Sequence, residues 1–139
     1  MSDPLYRKEI LRLAADAHGA GRLGAPHHKG EAFNPTCGDR VTFEVDLDAE
    51  GRISALAHET KACVLAQASA SIVGRDAKNL RLEEIAQLRR DVSAMLKEGA
   101  SAPDAPFTDY AVFDGAVTYT SRHTCVLLPI DALLKALEN

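Results

Sequence analysis

Val41-Thr42-Phe43-Glu44-Val45-Asp46-Leu47-Asp48 alternates apolar and polar side chains without a break. A period of two marks a half-buried strand, with Val41, Phe43, Val45 and Leu47 toward a core and Thr42, Glu44, Asp46 and Asp48 toward water. Glu50-Gly51 supplies a turn, and Ile53, Ala55 and Ala57 resume the alternation, so the two runs read as an antiparallel hairpin. A short strand from Glu31 to Phe33 adds a third member upstream. Asn34-Pro35-Thr36-Cys37-Gly38-Asp39-Arg40 lies between, a Pro/Gly turn carrying a thiol and a carboxylate two residues apart.

Outward from the sheet the period changes. Asp3-Pro4 reads as a cap with proline in the first turn, and Tyr6, Ile10, Leu13 and Ala17 follow at helical spacing until Gly19. Residues 19–30 are rich in Gly, Pro and His and read as a loop, where His27-His28 is taken as solvated, with metal ligation the alternative. Thr60 caps a predicted helix from Lys61 to Ile72, ended by Gly74, whose small Ala66, Ala68, Ser69, Ala70 and Ser71 let another backbone approach. Leu82, Ile85, Leu88, Val92 and Leu96 predict a further helix, with a break near Asp91, and residues 99–106 a loop. Proline lacks the N–H a helix interior requires, so Pro129 places the start of the last helix close to Val126, with Cys125 at or just before it. The reading is α+β, a small three-stranded antiparallel sheet with helices packed on one face, and residues 1–139 as a single domain.

Sixteen basic against twenty acidic side chains, a net charge of −4 and no Trp give neither a basic field nor stacking platforms for nucleic acid. Asp3, Arg7, Lys8, Glu9 and Asp16 interrupt the first twenty residues where a signal peptide needs an apolar core, and no run is long enough for a bilayer span. A cytoplasmic location is expected. In that reducing compartment three cysteines read as a metal or reactive-thiol set, with three unrelated buried thiols as the alternative.

The predicted elements put Cys37 on the turn, Cys63 in the first turn of one helix and Cys125 at the start of another. Unpaired N–H groups and the positive end of the helix dipole favour a thiolate at the latter two. Asp39 falls on the same side as Cys37 in extended chain, with Gly38 free to bend the pair toward one ion; an Asx-type turn without any ligand role fits the tripeptide equally. Three sulfurs and one oxygen would make a four-ligand site for zinc or for iron and sulfur. No Gly-x-Ser-x-Gly elbow surrounds Ser69 or Ser71, and no phosphate-cradling glycine loop is present.

Asn34-Pro35-Thr36-Cys37-Gly38-Asp39-Arg40, Cys63 followed by Ala68-Ser69-Ala70-Ser71, and Arg122-His123-Thr124-Cys125-Val126-Leu127-Leu128 resemble, in order and spacing, the NifU/IscU/SufU family of iron–sulfur cluster assembly proteins. The resemblance runs from Leu5-Tyr6 to the last helix. It implies that Cys37, Cys63 and Cys125 are cluster or zinc ligands and persulfide acceptors, with Asp39 the aspartate that ligates zinc or tunes cluster release. The long interval from Cys63 to Cys125 and Arg122 three residues before the third cysteine are similar to the SufU branch, which implies a zinc-dependent sulfurtransferase. There Cys37 would attack the persulfide of a cysteine desulfurase; the scaffold reading instead builds a cluster for downstream carriers or apo-proteins. Thr124 stands where the IscU branch has His and the SufU branch Lys, and the Leu-Pro-Pro-Val-Lys chaperone motif is absent. Ala62 and Val64 replace the usual Gly and polar neighbours of the second cysteine. His123 is the competing fourth ligand, and Asp39 is preferred to it. A zinc that only stabilises the fold is the remaining reading.

Overall fold

The computed structural model describes residues 7–36 and 38–138. The chain forms α1 (Lys8–Asp16), β1 (His28–Asn34), β2 (Asp39–Leu47), β3 (Ile53–Lys61), α2 (Val64–Asp76) and α3 (Leu82–Glu98), then two 3-10 segments, Thr108–Ala116 and Thr120–Arg122, and α4 (His123–Glu138). The three strands form one antiparallel sheet in the order β1-β2-β3. Along β2 the alternation resolves as predicted, with Val41, Phe43 and Val45 fully buried and their neighbours facing out. All helices lie on the buried side: α4 crosses β1 and β2, α2 sits between β3 and α4, and α1 and α3 close the outer flanks. Each large apolar side chain sealed there contributes about 1.5–3 kcal/mol relative to exposure, enough to fix which face of the sheet turns inward.

Several boundaries differ from the sequence reading, each for a physical reason. β3 runs through Thr60 and Lys61 because both are paired with β2, as Val41↔Thr60 and Arg40↔Lys61. Thr60 is therefore a strand residue rather than a helix cap, and α2 starts at Val64 with Cys63 as its N-cap. Gly74 does not stop α2, which continues to Asp76. Its hydrogen side chain serves a crossing instead, since a Cβ there would lie 2.1 Å from the His18 carbonyl oxygen. α1 ends at Asp16, short of Gly19, with Ala17 as its left-handed C-cap; Asp3, Pro4 and Tyr6 lie outside the described residues. α3 is unbroken at Asp91, whose carboxylate accepts a 2.8 Å hydrogen bond from Gln87 one turn earlier. β1 is longer than the Glu31–Phe33 reading and includes His28. No helix among the described residues is long and apolar enough to cross a membrane.

The 17–27 segment folds back over the edge of β3, where the His58 N–H donates to the Gly19 carbonyl and Gly21 N–H to the His58 carbonyl, at 3.0 and 2.9 Å. The buried His58 ring fixes this strap. Its Nε2–H donates to the His18 carbonyl and its Nδ1 accepts from the Thr60 hydroxyl, both at 2.9 Å, while Phe43 packs against the ring. Burial holds His58 below its ordinary value of 6.5, opposed by the His18 carbonyl. The unfolded chain therefore takes up the proton first as pH falls, so the stability from neutral His58 is complete above 6.5 and is lost toward the depressed folded value. Melting curves at pH 7.5 and 5.5 should show a drop in Tm at the lower pH that His58→Gln reduces. An equal drop in both chains would refute the assignment.

Candidate metal centre

The strand register assembles the site. Arg40 pairs with Lys61, so Asp39, the residue before Arg40, stands beside the chain as it leaves β3 toward Cys63. Asp39 is buried, and its Oδ1 accepts the Cys63 backbone N–H at 3.3 Å. Its Oδ2 is buried with no hydrogen-bond partner among the described residues. An unsatisfied buried oxygen costs on the order of 1–3 kcal/mol, and a carboxylate oxygen so placed could accept a bond from a cation.

Cys63 caps α2 in extended conformation and is half-buried as a residue. Cys125 is the third residue of α4 and is buried. A carboxylate oxygen of Asp39 and the two Sγ atoms all lie within 4.8 Å of one another. Tetrahedral zinc–thiolate bonds of about 2.3 Å place two sulfurs about 3.8 Å apart, so the trio needs only small adjustment around one ion. The two thiols also differ in acidity. Hydrogen bonding with Cys125 lowers Cys63 to about 7, with help from the Ala66 backbone N–H at the start of α2 and against burial and the charge and hydrogen bonding of Asp39. The same hydrogen bond, with burial and the Cys63 and Asp39 charges, pushes Cys125 up, and Arg122 works against that rise. Cys63 is thus the more readily ionised of the two thiols, and a bound cation would favour loss of the proton from both.

α4 starts three residues earlier than its proline suggested. A 3-10 turn, Thr120–Arg122, feeds directly into it, and Pro129 sits in its second turn. Cys125 is consequently inside the helix rather than ahead of it. His123 is buried and its Nε2–H is shared by the Ala116 and Val117 carbonyls at 3.0 and 3.1 Å, which turns the ring to the 3-10 segment. Thr124 is exposed. The His27 backbone and ring are both directed at Asp46, toward the opposite end of β2 from Asp39. Cys37 lies outside the described residues; its neighbours Thr36 and Gly38 belong to the β1–β2 turn, where Asn34 accepts both backbone N–H groups at 3.0 and 2.8 Å.

Sequence reasoning quoted Arg122 without giving it a role, and it gave no hint that Asp39 anchors the Cys63 backbone. Both depend on register and helix start, which single-residue patterns do not encode.

The family described as the NifU-like N terminal domain matches residues 5–126. Over 135 residues the chain is 26% identical to the iron–sulfur cluster assembly scaffold protein IscU of Thermotoga maritima, spanning 97% of this chain and 94% of that one. It is also 26% identical, over 137 residues, to the zinc-dependent sulfurtransferase SufU of Bacillus subtilis, spanning 99% and 92%. Among solved structures, a nitrogen-fixing NifU-like protein (N-terminal) from Brucella abortus superposes with a TM-score of 0.92 at 32% identity, covering 98% of this chain and 94% of that one.

Proposed function

The chain belongs to the NifU-like N-terminal domain family of iron–sulfur cluster scaffold proteins, and from that premise we propose that it accepts sulfur from a cysteine desulfurase and holds a nascent cluster or zinc on Cys37, Asp39, Cys63 and Cys125. The observation that carries the reading is the buried Asp39 carboxylate, one oxygen of which lies within 4.8 Å of two sulfurs and whose Oδ2 has no hydrogen-bond partner among the described residues. Soft thiolates suit zinc and iron, and one harder oxygen among them gives a bond that can be released, as a site that hands on its cargo requires. Zinc, when bound, would supply positive charge that keeps the sulfurs deprotonated. In the transfer step a thiolate of this chain, Cys37 in our reading, attacks the outer sulfur of the desulfurase persulfide. A new S–S bond forms, the bond inside the donor persulfide breaks, and the donor cysteine leaves as thiolate with both electrons of that bond. The product cluster then passes to downstream carriers or apo-proteins.

A second reading, zinc-dependent sulfurtransfer without cluster building, is favoured by the partly exposed, acidified Cys63 beside a buried Cys125, a set already suited to a closed-shell ion. Two measurements separate the readings. Anaerobic reconstitution with iron and sulfide should give thiolate-to-iron absorbance that Asp39→Ala alters in intensity or lifetime; no absorbance, together with tight stoichiometric zinc, favours the relay. Desulfurase turnover stimulated by this chain should vanish in Cys37→Ala under either reading. Stimulation that survives both that substitution and metal removal, with only Tm lowered, would leave a zinc that merely stabilises the fold.

A further inference from the structure

Ser69 and Tyr110 are fully buried and form a polar chain that the metal site itself does not use. Ser69 Oγ lies 2.7 Å from the Val126 carbonyl oxygen and 2.8 Å from the Tyr110 hydroxyl. A carbonyl only accepts, so Ser69 donates to Val126 and accepts from Tyr110, whose oxygen also lies 3.3 Å from the Ser69 carbonyl. The chain is fully satisfied and has one direction, from the 3-10 segment through α2 into α4.

Its end point is next to a proposed ligand. Val126 follows Cys125, and Ser69 is on the helix that Cys63 caps. Pro129 has no N–H to give the carbonyl four residues back, which belongs to Cys125. The turn of α4 that carries Cys125 therefore lacks one rung of its own ladder, and the adjacent carbonyl is tied to α2 by the Ser69 hydroxyl. Two helices that each bring one sulfur are joined by a hydrogen bond at the point where one of them is weakest.

We propose that Ser69 and Tyr110 are positioning residues that set the separation of the Cys63 and Cys125 sulfurs, an inference that rests on those sulfurs acting together as ligands. Ser71 provides the control. It is buried on the same helix, but its Oγ accepts the His18 N–H at 3.0 Å, on the side of α1 rather than α4.

The experiment is a titration of the full chain with cobalt(II), read by thiolate charge-transfer and ligand-field bands. Ser69→Ala should weaken cobalt binding about 10-fold and shift the bands, within the range measured when a ligand's supporting partner is removed. Tyr110→Phe, which keeps the ring, should shift them less in the same direction, and Ser71→Ala should lower Tm while leaving bands and affinity as in the wild type. Wild-type bands and affinity in both Ser69→Ala and Tyr110→Phe, or an equal loss in Ser71→Ala, would overturn the positioning role. Absence of cobalt bands in the wild type would instead overturn the metal site. The positioning role is then read with phenylarsine oxide, whose arsenic(III) bridges two thiols, in a Cys37→Ser background. Release should be about 10-fold faster in Ser69→Ala than in Ser71→Ala, and equal release would overturn it.

Discussion

Cys125→Ser should weaken zinc or cobalt binding on the order of 100-fold, because the roughly 10–16 kcal/mol of a structural-type zinc site would be shared among the four proposed ligands, about 3 kcal/mol for each. The loss will be read most directly as stability. Metal that binds only the folded chain raises Tm with metal concentration, and the increment should disappear in Cys125→Ser at a concentration that saturates the wild type. Asp39→Ala separates two effects of opposite sign. It deletes the buried Oδ2, which has no partner among the described residues, and so relieves the metal-free fold, but it also deletes the acceptor for the Cys63 N–H, which loosens the start of α2. The metal-free Tm should change little while the metal-induced increment shrinks. An undiminished increment in both variants would mean that these side chains share a corner of the protein without sharing an ion.

What the sequence disclosed depended on where one face alone is buried. Val41, Phe43 and Val45 could be read because a one-residue slip would turn all three into water, so pattern and register agree. The helix before Gly99 could be read for the same reason, Ile85, Leu88, Val92 and Leu96 making one apolar stripe, although not its continuity through Asp91. The ends of β3 and α4 could not. Thr60 carries a good capping side chain, but the cross-strand bonds opposite Val41 hold it in the sheet. Pro129 argues locally for a helix start, but the 3-10 turn ahead of it delivers the chain already coiled, and the single missing bond is outweighed by the burial of Cys125, Val126, Leu127 and Leu128. The 3-10 segment with Tyr110 and Phe113 has no periodicity to detect, and its aromatic rings sit 5.6 Å apart in the core.

The candidate site was legible as a set of residue types and not as an arrangement. Asp39 and Cys63 are far apart in sequence and adjacent because Arg40 pairs with Lys61. Cys125 reaches them because α4 lies across β1 and β2 and against α2. That contact has one strict requirement, which sequence periodicity disguised: Gly30 falls at the edge of a Gly-rich loop in the sequence and in the middle of β1 in the structure.

Gly30→Ala should be among the most destabilising single substitutions in the chain, costing about 3 kcal/mol or more. A Cβ at this position would lie 2.2 Å from the Ala136 nitrogen, 2.5 Å from the Ala132 oxygen and 2.8 Å from the Ala136 Cα. All three are backbone atoms of α4, so no rotamer change relieves the overlap and the helix itself must lift from the sheet. Lifting it opens the core around Ile130, Leu133 and Ala136, which are fully buried in the same cluster as Val41 and Phe43. It also carries Cys125 away from Cys63, so metal affinity should fall together with the urea midpoint, although residue 30 is nowhere near the thiols in sequence. Glu31→Ala is the comparison: the next residue on the same strand, facing solvent, where Thr42 and Arg40 are its partners, and expected to change stability by no more than about 0.5 kcal/mol. Equal urea midpoints for Gly30→Ala and the wild type would mean that α4 does not rest on β1 at this point, and the placement of Cys125 derived from that contact would fall with it.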